Sequence, residues 1–103
     1  MIIDHRTYTV QHGMSKEYMA LFEAEGLPVQ LRHLNLVGFF QSTVGPLNQI
    51  IHLWRYDDFA DMEKRRAARD ADPDWTAYLK KSKGMILMQE NKIITPTGFS
   101  PIK

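Results

Sequence analysis

Four short segments of the chain are rich in β-branched and aromatic residues, and turn-forming residues separate them. They cover residues 2–10, 34–43, 48–56 and 85–94. Runs of this length and composition predict β-strands. Gly45 and Pro46 mark a turn between the second and third segments, and so short a connection predicts an antiparallel hairpin.

Helical spacing of apolar residues follows the first strand. Apolar residues recur at intervals of three and four within residues 15–25, which predicts an amphipathic helix. Ser15 is placed to cap the start of this helix and Gly26 to end it, and Pro28 can then open a further short turn.

A second helical region follows the third strand and is split in two. Asp57 or Asp58 can cap its first part, which runs to about residue 69. Asp72 and Pro73 restart the helix, because a capping carboxylate followed by proline is a typical first turn.

The resulting order, βαββαβ, is that of a ferredoxin-like α+β fold. It predicts a four-stranded antiparallel sheet with helices on one face and strand order 4-1-3-2. With 103 residues, the chain is expected to form a single domain over residues 1–103.

The predicted strands are apolar at both alternating positions, so we expect both faces of the sheet to be buried. In the third strand we assign the aliphatic pair Ile51 and Leu53 to the helix side. The alternate set then points outward: Ile50, His52, Trp54 and Tyr56. A second copy would cover this outer face, giving a homodimer, a dimeric α/β barrel whose two sheets enclose a cavity. The alternative is an assignment shifted by one residue, which exchanges the two faces.

Four side chains of the two central strands suggest a ligand pocket. If Arg6 and Tyr8 share a face with His52 and Trp54, the pairing of strands 1 and 3 brings them together. Two aromatic rings, an imidazole and a guanidinium suit an acidic or carbonyl-bearing small molecule. His52 is a candidate catalytic general base, since imidazole titrates near neutral pH. It is equally well read as a buried histidine bonded to a neighbour.

Four further residues have structural interpretations. Gly38, inside the second strand, predicts a bulge or bend. His33 lies between the first helical region and the second strand, where we expect it to form a structural hydrogen bond. Trp75 and Tyr78, three residues apart, are read either as ligand-binding residues or as ordinary helix packing.

Composition narrows the possible functions. The formal net charge is +1, which gives no support for nucleic-acid binding, although one of the basic residues 64–69 could close the mouth of a cavity. The chain has no cysteine, and its four histidines lack metal-ligand spacing, so we expect neither a metal nor a cofactor. The minority alternative is a haem held by one axial histidine. No apolar stretch is long enough to span a membrane and no signal peptide is evident, so the expected location is cytoplasmic.

Several segments of the chain resemble the NIPSNAP family, and the resemblance extends from about residue 3 to residue 101. Its most specific parts are Leu47-Asn48-Gln49 with His52-Leu53-Trp54 and Tyr56, and Asp72-Pro73 with Trp75 and Tyr78. The resemblance implies a dimeric α/β barrel, in a superfamily that includes cofactor-free monooxygenases, isomerases and haem-processing enzymes. The family itself has no well-defined reaction.

The resemblance also supplies the candidate site residues, without catalytic roles: Arg6, Tyr8, Asn48, Gln49, His52, Trp54, Trp75 and Tyr78. The expected function is therefore a homodimer that binds a small organic molecule, with cofactor-free proton transfer or oxygenation as its chemistry. The alternative is a non-catalytic binding or scaffolding module.

Overall fold

The computed structural model describes all residues from Met1 to Lys103. Its strands are β1 (Ile2–Val10), β2 (Asn35–Gln41), β3 (Gln49–Tyr56) and β4 (Ile86–Ile94). Its helices are α1 (Ser15–Leu21), α2 (Leu27–His33), α3 (Phe59–Asp70) and α4 (Pro73–Ser82), and a π-helical turn (Phe22–Gly26) joins α1 to α2. No helix is long and apolar enough to cross a membrane.

The strands form one antiparallel sheet in the order β2-β3-β1-β4. This confirms the predicted α+β, ferredoxin-like fold and its strand order. The register between β2 and β3 shifts between Leu36 and Gly38, which confirms the predicted bulge.

The first helical region does not end at Gly26, as predicted, but continues through it with helical dihedral angles (φ −75°, ψ −46°). The π-helical turn ends at Gly26, two residues before Pro28. Pro28 has no N–H to give to a helix, so the turn widens where a regular helical hydrogen bond is unavailable. The predicted cap is also wrong. Met14 precedes the helix, and Ser15 is its first residue, with Oγ donating to Asn48 Oδ1 at 3.1 Å.

The predicted caps of the later helices are confirmed. Asp58 Oδ1 accepts from the Asp61 backbone N–H at 2.7 Å, and Asp72 Oδ1 accepts from the Asp74 N–H at 3.0 Å. Asp72 also lies 2.9 Å from His33 Nε2, which is the structural hydrogen bond expected of His33 and ties α2 to α4.

The facing of β3 is opposite to the one predicted. Its alternate set Ile50, His52, Trp54 and Tyr56 is buried beneath the chain's own helices, whereas Ile51 and Leu53 lie on the open face. Large aromatic side chains bury more area than aliphatic ones between the two layers. Trp54 Nε1 donates to His52 Nδ1, so this donor and this acceptor stay paired when the two side chains are buried.

The open face nevertheless remains partly apolar, as the two-sided pattern predicted. From the register, Phe40 lies opposite Ile51, and Gly38 lies opposite Leu53. Phe40 and Met88 are each 54% exposed. Polar side chains occupy the neighbouring part of this face, on β1 and β4: His5, Thr7, Glu90 and Lys92.

Candidate binding cleft between the sheet and the helices

A two-lobed cleft separates the sheet from the helices that cover it. The outer lobe has a volume of about 260 Å³ and the inner lobe about 70 Å³. Five residues line both lobes: Tyr8, Gln30, Trp75, Leu79 and Gln89. The two lobes are therefore neighbours that share walls, and each is smaller than a typical drug-sized pocket of ~300–1,000 Å³.

Alternate residues of β1 form the polar floor of the outer lobe. Arg6 Nη1 lies 2.9 Å from Asp4 Oδ2, and Arg6 Nε donates to the Tyr8 hydroxyl at 3.1 Å. Asn91, on β4, donates to the other oxygen of Asp4 at 3.3 Å. Asp4 is 1% exposed. Arg6 lines the outer lobe, and its remaining terminal nitrogen, Nη2, makes no hydrogen bond to the protein.

His52 lies directly across the β1–β3 pair from Arg6 and lines the inner lobe. Trp54 Nε1 donates to His52 Nδ1 at 2.6 Å. The imidazole stacks on Phe39, with centroids 4.9 Å apart, and meets Tyr8 edge-on at 4.6 Å. Burial, helped by the charge of Arg6, lowers the pKa of His52 to about 4, so the ring is neutral at pH 7.

Two buried polar atoms of the inner lobe have no partner in the protein. They are His52 Nε2 and Gln30 Oε1, the latter on α2. Because Nδ1 accepts the Trp54 hydrogen bond, the proton of the neutral imidazole resides on Nε2. A buried polar group left unpaired costs about 1–3 kcal/mol, so an unmatched donor and acceptor beside one space indicate a site for a polar ligand.

An arginine and a tryptophan form the mouth of the cleft. Arg69 Cζ lies 4.7 Å from the ring centroid of Trp75, and Arg69 Nη2 lies 3.0 Å from Asp70. All three residues line the outer lobe. The sequence allowed for an arginine of residues 64–69 at the mouth of a cavity between two sheets, whereas Arg69 lines the cleft beneath the chain's own helices.

Of the expected site residues, the structure brings six to the cleft. Arg6, Tyr8, Trp54 and Trp75 line the outer lobe, and Tyr8, His52, Trp75 and Tyr78 line the inner lobe. This juxtaposition of β1 and β3 was predicted, but the cleft lies between the sheet and its own helices rather than between two sheets.

Asn48 and Gln49 are not brought to the cleft. Asn48 has a left-handed backbone (φ 62°) in the hairpin loop and binds Ser15. Gln49 pairs with Thr9, at a position that alternates with Ile50 and so belongs to the open face.

Sequence reasoning did not select Asp4 or Gln30. Asp4 shares the alternation of Arg6 and Tyr8 along β1, which was a usable signal. Gln30 gave no signal, because a glutamine on a short helix is ordinarily solvent-exposed, whereas here it is 5% exposed.

The family model for NIPSNAP matches residues 3–101. The chain belongs to the NIPSNAP family. A crystal structure of a NIPSNAP family protein with unknown function, from Agrobacterium tumefaciens, is 40% identical to this NIPSNAP chain, with a TM-score of 0.95. The match covers 100% of this chain and 94% of that protein.

Curated relatives of this NIPSNAP chain are longer. The NipSnap homolog of Dictyostelium discoideum is 32% identical over 91 residues, which are 88% of this chain and 40% of that protein. The chain spans between 19% and 40% of the length of the curated relatives it matches.

The fold of this NIPSNAP chain extends beyond the family. A Nitrosomonas europaea protein, provisionally assigned as an antibiotic biosynthesis monooxygenase, has a TM-score of 0.69 at 11% identity. The match covers 93% of this chain and 98% of that protein. At this identity the likeness concerns the fold alone.

Proposed function

We propose that the protein binds a small organic molecule with a negatively charged group in the cleft between its sheet and its helices. The observation that carries the proposal is the unpaired Nη2 of Arg6 on the cleft floor. Asp4 and Tyr8 fix the other guanidinium nitrogens, so the free N–H groups are already oriented. A guanidinium held in this way suits a carboxylate or a similar oxyanion.

The surroundings of Arg6 also favour an organic ligand over an inorganic ion. Trp54, Trp75 and Leu79 line the same lobe and present apolar surface to whatever binds there. A cleft with apolar walls and a few oriented polar groups is typical of sites for small organic molecules.

As part of this proposal, the 103 residues act as one domain that dimerises through the open face of the sheet. Contiguous exposed apolar residues on a sheet face mark an interface in most soluble proteins. Phe40, which is exposed, forms such a group with the half-buried Ile51 and Leu53 on β2 and β3. Two sheets packed through these faces would form a dimeric α/β barrel, with the two clefts on its outside, beneath each chain's own helices.

The proposed chemistry is cofactor-free proton transfer or oxygenation of the bound molecule. Oxygenation is included in the proposal because the Nitrosomonas europaea protein of the same fold is provisionally assigned as an antibiotic biosynthesis monooxygenase. The hydrogen-bond donors of the cleft, Arg6 and His52, would stabilise negative charge that develops on an oxygen of the ligand.

A second candidate is binding without turnover, and one observation favours it. Two groups beside the cleft could act as a general base, Asp4 and His52, and both already accept hydrogen bonds. The carboxylate of Asp4 accepts from Arg6 and from Asn91, and Nδ1 of His52 accepts from Trp54. A free base for proton abstraction is therefore missing from this arrangement of side chains.

Ligand binding is tested by NMR titration with three molecules of equal chain length: pentanoate, 1-pentanol and pentylamine. We expect pentanoate alone to shift the resonances of β1 and α4. Arg6→Gln should weaken pentanoate at least about tenfold, because a hydrogen bond to a charged group is lost. Lys64→Gln, which removes the same charge from an exposed position of α3, is the matched control. Pentanoate binding that is equally strong in both variants would overturn the proposal.

The dimer is tested by sedimentation equilibrium at micromolar concentration. Leu53→Arg should convert the dimer to a monomer, because it buries a charge in the apolar interface. Val44→Arg makes the same change in the hairpin loop, at a residue that is 93% exposed, and should leave the dimer intact. A wild-type protein that sediments as a monomer would remove the dimer from the proposal.

A further inference from the structure

We propose that the inner lobe of the cleft is a carbonyl-oxygen site whose hydrogen-bond donor is His52 Nε2, so that the ligand is a small oxo-carboxylate. This inference rests on the proposed function, because it takes Arg6 to hold the carboxylate. It gives His52 the role of a neutral donor in place of the general base expected from the sequence.

The hydrogen bond from Trp54 decides which nitrogen of His52 is available. Trp54 Nε1 has only a donor to offer, and it lies 2.6 Å from His52 Nδ1. The lone pair of the neutral ring is thereby engaged, and the ring proton resides on Nε2. The two nitrogens of an imidazole point in widely different directions, so Nε2 points away from Trp54. His52 lines the inner lobe and not the outer one, which makes the inner lobe the space assigned to Nε2 in this proposal.

The inner lobe fits one small polar group. Its volume of about 70 Å³ corresponds to roughly two water molecules at ~30 Å³ each. Tyr18, Phe22 and Tyr78 supply aromatic walls, and His52 Nε2 is a buried donor without a partner. Gln30 Oε1 offers an unpaired acceptor for the hydroxyl of an enol or hydrate form. A carbonyl and its neighbouring carbon satisfy this combination better than a charged group, which would meet little solvation among the rings.

The floor of the cleft sets the relation between the two ligand groups. Arg6 and His52 are direct cross-strand partners, which places their Cβ atoms only ~4.5–5.5 Å apart. Tyr8 lies against both, through its hydroxyl on Arg6 and its ring edge on His52, and it lines both lobes. A ligand that reaches from Arg6 into the inner lobe crosses Tyr8, so its carboxylate and carbonyl are separated by a few bonds.

Trp54 acts in this arrangement as a positioning residue. It is 1% exposed and its only polar atom is engaged with His52. If this hydrogen bond were lost, the imidazole could place its proton on Nδ1 and present a lone pair to the inner lobe. The lobe would then repel a carbonyl oxygen.

Three molecules of the same chain length separate the two subsites: 4-oxopentanoate, pentanoate and 2-pentanone. We expect 4-oxopentanoate to bind about tenfold more tightly than pentanoate, since one buried donor becomes paired. The measurement is an NMR titration, with the ¹⁵N shifts of the His52 ring recorded for the free and bound protein. The Nε2 shift should remain that of a protonated nitrogen and should move with 4-oxopentanoate but not with pentanoate.

Two substitutions of His52 form a matched pair. The amide nitrogen of His52→Gln reaches the position of Nε2 and keeps a donor there, whereas that of His52→Asn reaches only the position of Nδ1. The tenfold preference for 4-oxopentanoate should persist in His52→Gln and vanish in His52→Asn. Trp54→Phe should reduce the preference for 4-oxopentanoate over pentanoate, because it removes the hydrogen bond that fixes the proton on Nε2. The ratio of the two affinities within one variant cancels any loss of stability or of apolar contact that affects both ligands.

The outcomes distinguish the two proposals. If pentanoate binds through Arg6 but 4-oxopentanoate binds no better, or if both His52 variants keep the preference, the carbonyl site is overturned and the proposed function stands. If neither carboxylate binds the wild-type protein, the proposed function fails and this inference fails with it. An unprotonated Nε2 in the free protein would overturn the donor assignment directly.

Discussion

The ring of Tyr78 occupies the space that a side chain at position 26 would fill. A Cβ atom built on Gly26 would lie 2.8 Å from two ring atoms of Tyr78, and 2.9 Å from Phe22. The backbone of Gly26 is ordinary helix, so the glycine is required by this close approach and not by a special dihedral angle. It lets α4 approach the π-helical turn and place Tyr78 at the inner lobe of the cleft.

Gly26→Ala should therefore destabilise the protein by about 1–3 kcal/mol, the usual cost of overpacking a filled core. Intrinsic helix propensity alone would give the opposite sign, since alanine is favoured over glycine by about 1 kcal/mol. Urea denaturation measures the change. Ala24→Gly, at an exposed position of the same turn, measures the intrinsic helical preference for alanine over glycine. A stabilised Gly26→Ala variant would contradict the packing of Tyr78.

The free energy of unfolding should fall as the pH is lowered from about 6.5 to 4, and His52 should be one cause. Burial and the Arg6 charge lower the pKa of His52 to about 4 in the folded chain, against 6.5 for an unperturbed imidazole. Within this range the unfolded chain binds a proton that the folded chain does not, so acid favours unfolding. Across the whole range the loss from this group is on the order of 3 kcal/mol.

The contribution of His52 is isolated by comparison with His52→Gln, which cannot titrate. The charges near the imidazole that act on it are those of Arg6, Asp4 and His5, and all three are kept in the variant. Urea denaturation at pH 4.5 and pH 7 should show a smaller difference for the variant than for the wild type. Equal differences would show that His52 titrates normally.

Asp72 should contribute more to stability than its exposed neighbour Asp74, because it combines a cap with an inter-helix bond. Its carboxylate caps α4 and lies within hydrogen-bond distance of His33 on α2. The bond to His33, then the backbone bond from Asp74, lower the pKa of Asp72. We expect Asp72→Ala to cost about 1–2 kcal/mol, as for loss of an N-cap, and Asp72→Asn to cost less.

Thermal or urea denaturation of these variants, with Asp74→Ala as the control, checks this order. Since the pKa of Asp72 is lowered by folding, its stabilisation is present above about pH 4 and is lost as the pH falls through the folded pKa. An Asp74→Ala variant as destabilised as Asp72→Ala would show that the bond to His33 and the cap contribute little.

The Asp4–Arg6 pair should behave as a buried ion pair. Removing one partner leaves a buried charge uncompensated, so Asp4→Leu should destabilise the protein by about 3 kcal/mol or more. Replacing both residues, as Asp4→Leu with Arg6→Met, should recover much of this loss, because two apolar side chains need no partner. A double-mutant cycle in urea measures the coupling between them. Additive losses would contradict the 2.9 Å contact.

Much of the fold was predictable because the alternation of side chains and the turn residues agree with each other. Strand β1 begins and ends where it was predicted, and the other strands lie within two residues of their predicted limits. The end of the first helix was not predictable from Gly26, because the sequence does not show that the ring of Tyr78 fills the space beside it. A glycine required by close approach looks the same in sequence as one that ends a helix.

The candidate site was predictable in most of its residues but not in its location. The pairing of β1 with β3 correctly united Arg6, Tyr8, His52 and Trp54. The face of the sheet predicted for these four residues was wrong, because aliphatic residues are better suited to the helix side than an unpaired imidazole. The hydrogen bond between His52 and Trp54 removes that objection, and no single-residue property encodes such a pair. The buried position of Gln30 at the cleft depends on its three-dimensional surroundings, and nothing in the sequence indicates it.

Strand β3 places His52 and Trp54 on the side of the candidate cleft and Ile51 and Leu53 on the opposite face, so the alternation of its side chains is constrained from both sides. Deleting or inserting one residue within β3 would exchange the two sets together, moving Leu53 into the cleft and the imidazole out of it. A substitution in β3 can alter one face of the strand alone, but inserting or deleting a residue alters both faces at once. Length variation among related chains should therefore be confined to the hairpin loop around Gly45 and be absent from the strand itself.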